Sequence, residues 1–213
     1  MSGRNVTVVN YGMGNIWSVR NALSFVGANV ILSSDPDEIA RAECLVLPGV
    51  GVFGTAIRRL DSLGMQAAMD EAVLHRGIPF LGICIGMQLL AGGSEESANV
   101  PGLGWIPGRV VRVRGDNIRV PHMGFSAANM ACSGSELFDN IPDGSDFYFV
   151  HSYHFMPENE AHVVAWTEYA NPLVSVVQKD NVVGAQFHPE KSQTCGLQFL
   201  ANFLEWSQAG SHA

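Results

Sequence analysis

The chain has 213 residues, with 12 Lys and Arg against 20 Asp and Glu, a formal net charge of −8, and 47% hydrophobic residues. This length suffices for one domain with a full-sized core. The negative charge and the absence of a long basic run argue against a nucleic-acid surface. No apolar run approaches membrane-spanning length, so we expect a globular protein that binds neither nucleic acid nor membrane.

The first half alternates short apolar strands with amphipathic helices. Strands are predicted over 6–9, 30–32, 44–47 and up to residue 84, and helices over 16–26, from 36, and over 55–75. We expect Asn15 to cap the first helix, Asp35 to cap the second, and Gly64 to break the third. This βαβαβαβα order predicts an α/β protein with a parallel, doubly wound sheet and helices on both faces.

Two glycine-rich loops follow strands of this sheet. Gly12-Met13-Gly14 is only superficially like a dinucleotide-binding loop, since Trp17 stands where a third glycine belongs, so a tight turn or a partner-facing loop is favoured. The 48–54 loop lies on the carboxyl edge of the sheet, where ligands bind in open α/β folds. Its backbone N–H groups could stabilise an oxyanion together with the amide of Ile85. A turn of conformationally permissive residues is the alternative.

The segment 79–88 places Cys84 between Gly82 and Gly86, where an apolar strand passes directly into a helical pattern. Flanking glycines let the backbone turn sharply and pack closely, as in a nucleophile elbow. A helix beginning at this point would direct its free N–H groups and its dipole at the sulfur and favour the thiolate. The alternative is a small cysteine that only packs in the core.

The second half is predicted to be mostly strand, over 105–120, 147–155, 162–167, 173–178 and 182–187, followed by a helix over 196–206. We expect one domain over residues 4–206 and a flexible C-terminal tail over 207–213. Four arginines cluster on a predicted hairpin, where a solvated strand face is the default interpretation and a contact with a small anion or a partner is the alternative. They are Arg109, Arg112, Arg114 and Arg119.

His188-Pro189-Glu190 supplies a base and an acid far along the chain. In an extended segment, His188 and Glu190 point to the same face, and the proline stiffens the backbone between them. With Cys84, this pattern predicts a cysteine–histidine–glutamate site for acyl transfer. The alternative is a histidine that closes a strand and is satisfied by a local hydrogen bond.

The four cysteines and the other histidines form no metal or disulfide pattern. His151 and His154 lie in a segment that alternates like a strand, so we expect neither a metal nor a cofactor. The cysteines show no CxxC spacing, and the N-terminus lacks an apolar signal core, which predicts reduced thiols in the cytoplasm. The four are Cys44, Cys84, Cys132 and Cys195.

Several of these segments resemble known motifs over nearly the whole chain, residues 4 to 206. The resemblance to the class I (triad-type) glutamine amidotransferases lies in Pro48-Gly49-Val50-Gly51, 82–88 and His188-Pro189-Glu190. A more specific resemblance, to the glutaminase subunits of imidazole glycerol phosphate synthase, lies in Tyr11-Gly12-Met13-Gly14-Asn15, Pro121-His122-Met123-Gly124, His151-Ser152-Tyr153 and 187–192. The resemblance implies one flavodoxin/Rossmann-like domain with an open, mixed, mostly parallel sheet.

The resemblance also implies roles for the site residues. Cys84 would be the nucleophile that forms a γ-glutamyl thioester, His188 the general base and then acid, and Glu190 the residue that orients the imidazole. The oxyanion would be held by the backbone of Ile85, Val50 and Gly51. The amino-acid end of glutamine would be held by Gly51, Gln88, Ser152 and Tyr153.

The implied partner is a separate (β/α) barrel cyclase, which would form a heterodimer and receive ammonia across the interface. The products would be imidazole glycerol phosphate and aminoimidazole carboxamide ribotide, in histidine biosynthesis. Candidate interface residues are Asn15, Met123, Phe125 and Lys191. At Phe125-Ser126 the chain departs from the Trp-Asn that is frequent in this family, which leaves the role of that position open.

Three other functions stay open at this point. The chain could be a triad glutaminase that feeds ammonia to another synthase, such as those for aminodeoxychorismate, anthranilate or pyridoxal phosphate. It could be a cysteine hydrolase of γ-glutamyl peptides or esters. It could also be a non-catalytic subunit in which Cys84 only packs.

Overall fold

The computed structural model describes residues 3–116, 118–131, 134–169 and 171–209. The first half contains β1 (Asn5–Val9), α1 (Ile16–Phe25), β2 (Asn29–Ser33), α2 (Pro36–Ala40), β3 (Leu45–Gly49), α3 (Phe53–Ser62), α4 (Met65–Asp70), a π-helical turn (Glu71–His75), β4 (Phe80–Cys84) and α5 (Ile85–Gln88). The second half contains β5 (Gly108–Arg112), β6 (His122–Met130), β7 (Ser145–His151), β8 (Tyr153–Pro157), β9 (Val163–Tyr169), β10 (Asn171–Lys179), β11 (Val182–Ala185) and α6 (Gln193–Gln208). Short 3-10 turns lie at Glu95–Ser97, Glu136–Phe138, Glu160–His162 and Pro189–Lys191.

Nine strands form one open sheet in the order β2-β1-β3-β4-β11-β10-β9-β6-β7. The first five pair in parallel and the rest antiparallel, while β5 and β8 form a separate two-stranded sheet. The predicted α/β class with an open mixed sheet is therefore confirmed. Because β3 and β11 flank β4, their carboxyl ends lie on either side of Cys84.

Apolar residues on the parallel strands alternate between two cores. Val46 packs on one face with α1 and α6, whereas Leu45 and Leu47 pack on the other face with α3 and α4. Residues that are adjacent on a strand point to opposite faces, so a strand covered on both sides is apolar at nearly every position. The sheet is thus covered by helices on both faces, as predicted.

The helix boundaries follow the predicted capping residues with one exception. Oδ1 of Asp35 accepts from the amide of Asp37, and Gly64 at φ 69° separates α3 from α4. Asn15 is the N-cap residue of α1, as predicted, but among the described residues its side chain makes no capping hydrogen bond. None of the described helices is both long enough and apolar enough to cross a membrane.

The strand predictions needed correction in the second half. The predicted strand 147–155 is two strands in different sheets, because the chain breaks at Ser152 between β7 and β8. In the described part of the predicted strand 105–120, β5 is the strand, and it pairs with β8 instead of forming the predicted hairpin. β6 was not predicted, since its sequence (HMGFSAANM) lacks an apolar alternation; pairing with β7 and β9 makes it a strand.

The arginine cluster is divided by this arrangement. Arg109 and Arg112 lie on β5, while Arg114 lies beyond the strand and pairs with Glu95 at 3.0 Å. The guanidinium of Arg112 lies 5.9 Å from the ring centre of Tyr153.

The C-terminal helix is longer than predicted at both ends. On α6, Phe199, Leu200 and Phe203 are fully buried, whereas Leu197 is only partly buried. α6 continues to Gln208 with Ser207 buried, so these two residues are helical. Residues 210–213 of the predicted tail, like Cys132, lie outside the described residues.

Candidate active site

Cys84 occupies a strained elbow between β4 and α5. Its φ of 55° and ψ of −107° are unusual for a residue with a side chain, and such strain concentrates at functional sites. A Cβ on Gly82 would lie 2.5 Å from the carbonyl of Gly86, and one on Gly86 would lie 1.9 Å from the carbonyl oxygen of Leu47. The two glycines are therefore required by close backbone contact, as the sequence predicted.

The helix after the elbow is shorter than expected. α5 has four residues and ends at Gln88. Because the helix dipole is the sum of aligned peptide dipoles, so short a helix contributes little of it at Cys84. The helix dipole therefore stabilises a thiolate at Cys84 less than the sequence predicted.

His188 and Glu190 form a buried pair. Nδ1 of His188 lies 2.9 Å from Oε1 of Glu190, and their side chains are 3% and 1% exposed. The contact was predicted, but the predicted extended backbone is wrong, because Pro189 begins a 3-10 turn that contains Glu190. Proline fits the first position of such a turn, where its missing N–H has no partner to lose.

Two hydrogen bonds attach the turn that carries this pair to β7, and a third joins Ser192 to His188. The amide of His188 donates to the carbonyl of Tyr148 at 2.8 Å. Oγ of Ser192 donates to the carbonyl of His188 at 2.7 Å and accepts from the amide of Tyr148 at 2.9 Å. These bonds fix the imidazole relative to the sheet.

The imidazole is tuned toward its protonated form. Burial lowers the pKa of His188, but the interactions of the ring with Cys84 and with Glu190 outweigh it and raise the pKa from 6.5 to about 9. Nε2, the nitrogen opposite the Glu190 contact, is buried, and no described residue offers it an aligned hydrogen-bond partner. Catalytic hydrogen bonds are often loose before substrate binds. The site can therefore take up a proton beside the sulfur.

Cys84 and His188 open into one cavity of about 370 Å³. Its lining includes every residue predicted for the oxyanion hole and for substrate contacts, and Glu190 lies behind His188. The lining residues are Val50, Gly51, Cys84, Ile85, Gln88, Glu96, Pro121, Val150, His151, Ser152, Tyr153 and His188.

Gln88 is buried, so it does not lie on an exposed face of the elbow helix. Its Nε2 donates to the carbonyl of Tyr153 at 2.8 Å and to Oε1 of Gln186 at 2.9 Å. Nε2 of Gln186 in turn lies 3.7 Å from Sγ of Cys84. Gln186 was not singled out from the sequence, although it immediately precedes Phe187-His188.

Glu96 is a further lining residue that the sequence did not reveal. Its Oε2 accepts from the amide of Phe53 at 2.7 Å, and Oγ of the neighbouring Ser97 accepts from the amide of Gly54 at 3.0 Å. These bonds join the 3-10 turn Glu95–Ser97 to the start of α3 and bring a carboxylate to the cavity. No local pattern predicts this placement, since it depends on the path of a loop.

A buried histidine pair leads from the cavity to β6. His151 Nδ1 lies 2.8 Å from the carbonyl of Tyr153, and its Nε2 lies 3.0 Å from Nδ1 of His122. Nε2 of His122 lies 2.8 Å from Oγ of Ser126. Burial lowers the pKa of His122 to about 4 and that of His151 to about 3, so both are neutral at neutral pH. Within the described residues no group of three His, Cys, Asp or Glu could hold a metal ion.

The predicted interface residues are exposed, and two of them share a surface. The ring of Tyr148 lies 5.5 Å from the ring of Phe125 and 5.5 Å from Nζ of Lys191, so these residues form one surface, here called the Tyr148 cluster. Met123 is 62% exposed on the same strand as Phe125, and Asn15 is exposed at the start of α1.

A model of the family described as glutamine amidotransferase class-I matches residues 7–206. The chain is a class I glutamine amidotransferase. This amidotransferase is 46% identical over 202 residues to the imidazole glycerol phosphate synthase subunit HisH of Moorella thermoacetica, covering 95% of each chain. It is 43% identical over 208 residues to the HisH subunit of Zymomonas mobilis, covering 95% of this chain and 96% of that protein.

Solved structures agree on the fold of this amidotransferase. A crystal structure described as a glutamine amidotransferase superposes with a TM-score of 0.75 at 20% identity, covering 95% of this chain and 98% of that one. A chain in the structure of PurLQS from Thermotoga maritima superposes with a TM-score of 0.72 at 16% identity, covering 96% of this chain and 99% of that one. The family predicted from the sequence is confirmed.

Proposed function

We propose that this chain is the glutaminase subunit of an imidazole glycerol phosphate synthase. The observation that carries the proposal is the meeting of Cys84, on its strained elbow, with the buried His188–Glu190 pair at one cavity. The relatives at 43% and 46% identity are both HisH subunits. They favour imidazole glycerol phosphate synthase over the other synthases that a triad glutaminase could supply with ammonia. We place the reaction in the cytoplasm.

In the proposed reaction, His188 accepts the Cys84 proton at Nε2 and the thiolate attacks the amide carbon of glutamine. The tetrahedral intermediate collapses to a γ-glutamyl thioester when the imidazolium protonates the leaving nitrogen, which departs as ammonia. His188 then activates a water that attacks the thioester, and glutamate leaves as the sulfur is reprotonated. Glu190 holds Nδ1, so the other ring nitrogen faces the reaction in both steps.

The intermediate carries a negative oxygen that requires hydrogen-bond donors. We assign the amide of Ile85 and an amide from the Val50-Gly51 turn to this role. Two observations support this assignment. β3 ends at Gly49, opposite Cys84 in the sheet register, and Val50, Gly51 and Ile85 all line the cavity. Loss of one such donor costs about a hundred- to a thousandfold in rate.

The amino-acid end of glutamine needs partners for an ammonium and a carboxylate group. We assign the residues predicted from the sequence, Gly51, Gln88, Ser152 and Tyr153, all of which line the cavity. To these we add Glu96, whose carboxylate is the acidic group of the lining and is suited to the ammonium group.

The ammonia acceptor in this proposal is a separate (β/α) barrel cyclase that forms a heterodimer with this chain. The products would be imidazole glycerol phosphate and aminoimidazole carboxamide ribotide. Asn15, Met123, Phe125 and Lys191 are the proposed contact residues, and their exposure supports this assignment. Free ammonia would be wasted, so we expect low basal activity that the liganded partner raises.

The test is a steady-state assay of glutamate release with purified cyclase partner and its nucleotide ligand, which also detects turnover when ammonia is channelled. We expect wild type to release glutamate and Cys84→Ala to release none above background, while Cys195→Ala keeps wild-type activity. Release by Cys84→Ala equal to wild type would refute the nucleophile assignment. Full activity without partner, with turnover of bulky γ-glutamyl amides, would instead indicate a γ-glutamyl hydrolase.

A further inference from the structure

We propose that Gln186 is a further catalytic residue of this site, whose carboxamide N–H donates a hydrogen bond to the Cys84 sulfur and stabilises its thiolate. This inference rests on the proposed function. Gln186 follows directly after β11, which is the parallel neighbour of β4. The register pairs Ala185 with Ile83, so Gln186 lies opposite Cys84. The backbone N–H of Gln186 donates to the carbonyl of Ser175 at 2.8 Å, and Gln186 is fully buried.

The surroundings determine which end of the Gln186 carboxamide faces the sulfur. Gln88 Nε2 has two hydrogens, which are used by the carbonyl of Tyr153 at 2.8 Å and by Oε1 of Gln186 at 2.9 Å. Because Oε1 of Gln186 accepts from Gln88, its Nε2 is directed to Sγ of Cys84, at 3.7 Å.

The opposite orientation is unfavourable. Turning the Gln186 carboxamide alone would place two NH₂ groups against each other. Turning both carboxamides would place the oxygen of Gln88 against the carbonyl of Tyr153, two acceptors in contact. A backbone carbonyl cannot reverse its role, so Tyr153 fixes the direction of the whole chain of hydrogen bonds.

A donor in this position favours the thiolate over the thiol. Hydrogen bonds to a charged acceptor are roughly twice as strong as those between neutral groups, and burial strengthens them further. The carboxamide is itself neutral, so it adds no charge to oppose the protonation of His188. It thereby supplies the stabilisation that the four-residue α5 provides only weakly.

The test measures the rate of Cys84 alkylation by iodoacetamide as a function of pH, with the modified peptide identified by mass spectrometry. Gln186→Met removes the donor and stays uncharged. Gln186→Glu keeps an oxygen for Gln88 while placing a second oxygen toward the sulfur. We expect the midpoint of the pH profile to rise by about one to two units in Gln186→Met, and at least as far in Gln186→Glu.

Ser175→Ala is the matched control, because it alters a buried side chain beside Gln186 and leaves the carboxamide in place. Its profile should coincide with that of wild type. An unchanged midpoint in folded Gln186→Met and Gln186→Glu would overturn the proposal, as would an equal shift in Ser175→Ala.

A measurement on the unsubstituted residue covers the case in which the Gln186 variants do not fold. In protein labelled with ¹⁵N-glutamine, the Gln186 side-chain NH₂ resonance should shift as Cys84 ionises, and should not shift over that range in Cys84→Ala. Insensitivity in wild type would refute the hydrogen bond. Neither experiment needs glutamine or a partner, so a protein that released no glutamate would refute the proposed function and leave this test intact.

Discussion

Single residues at the site are adjusted to each other by charge as well as by position. The imidazole of His188 lies between a carboxylate at Nδ1 and the sulfur near Nε2, and these two neighbours outweigh the cost of burying a cation. A group whose pKa is raised on folding stabilises the folded state most below its unfolded value, and this stabilisation is lost as the pH rises through the folded value. For His188 the loss falls between about pH 6.5 and about pH 9.

The part of this effect that comes from the sulfur can be removed by Cys84→Ser. Serine does not ionise in this range, so we expect the pKa of His188 to fall well below about 9. The pKa is measured from the ring proton resonances of His188 by NMR titration. The stability lost between pH 6.5 and pH 9 in thermal unfolding should shrink in the same variant.

Cys195→Ser is the control, because Cys195 lies at the start of α6 and contributes nothing to the pKa of His188. It should leave the titration unchanged. A pKa of His188 that is the same in wild type and in Cys84→Ser would contradict the coupling.

At the scale of elements, strand ends and turns place the groups to which we assign catalysis. β4 presents Cys84 and β3 ends beside it, while the 3-10 turn Pro189–Lys191 brings His188 and Glu190 to the same edge. The turn has little structure of its own and depends on its attachment to β7. Ser192 is the central residue of that attachment, since its hydroxyl bonds both the turn and the strand.

Removing this hydroxyl by Ser192→Ala should loosen the turn and leave the partly buried amide of Tyr148 without its partner. We expect a loss of about 1–3 kcal/mol in the free energy of unfolding, measured by urea denaturation. We also expect a lower kcat for glutamate release, because the imidazole is less firmly placed.

Ser145→Ala is the matched control on the same strand. Its hydroxyl donates to the carbonyl of Pro142 in an exposed position at the other end of β7. It should change kcat little. Equal losses of kcat in both variants would show that the Ser192 hydroxyl has no special role in placing His188.

At the scale of the whole molecule, one open sheet gathers the cavity and the predicted contact surface at neighbouring positions. β6 and β7 carry Phe125 and Tyr148 outward, and the turn after His188 brings Lys191 over the same ring. The turn that carries the proposed catalytic base, His188, therefore also contributes to the Tyr148 cluster. A partner bound there would contact a segment that carries His188 and Glu190.

Charge reversal by Lys191→Glu tests whether the Tyr148 cluster is part of the interface. We expect the Kd for the proposed cyclase partner to rise at least tenfold, because a cation of the proposed interface and its contact with the Tyr148 ring are both lost. The affinity is measured by titration calorimetry at fixed salt.

Arg41→Glu makes the same charge change at an exposed position after α2 and should leave the Kd unchanged. Identical affinities for Lys191→Glu and wild type would remove Lys191 from the proposed interface, without affecting the assignments in the cavity.

Much of the fold and the site could be predicted from sequence because the determining contacts are local. Gly82, Cys84 and Gly86 lie within five consecutive residues, so their spacing alone predicts the sharp turn at Cys84. His188 and Glu190 are two residues apart, and their contact is compatible with either an extended segment or a turn. The apolar runs of the parallel strands were visible because both of their faces are buried.

Tertiary structure alone decided the remainder, for a common physical reason. The roles of Gln186 and Glu96 and the histidine pair depend on contacts between segments far apart in the chain, which no local pattern encodes. β6 became a strand because unpaired backbone groups on its neighbours required partners, a demand that its own sequence does not express. The sequence by itself thus determined which residues can perform the chemistry, and long-range pairing determined what surrounds them.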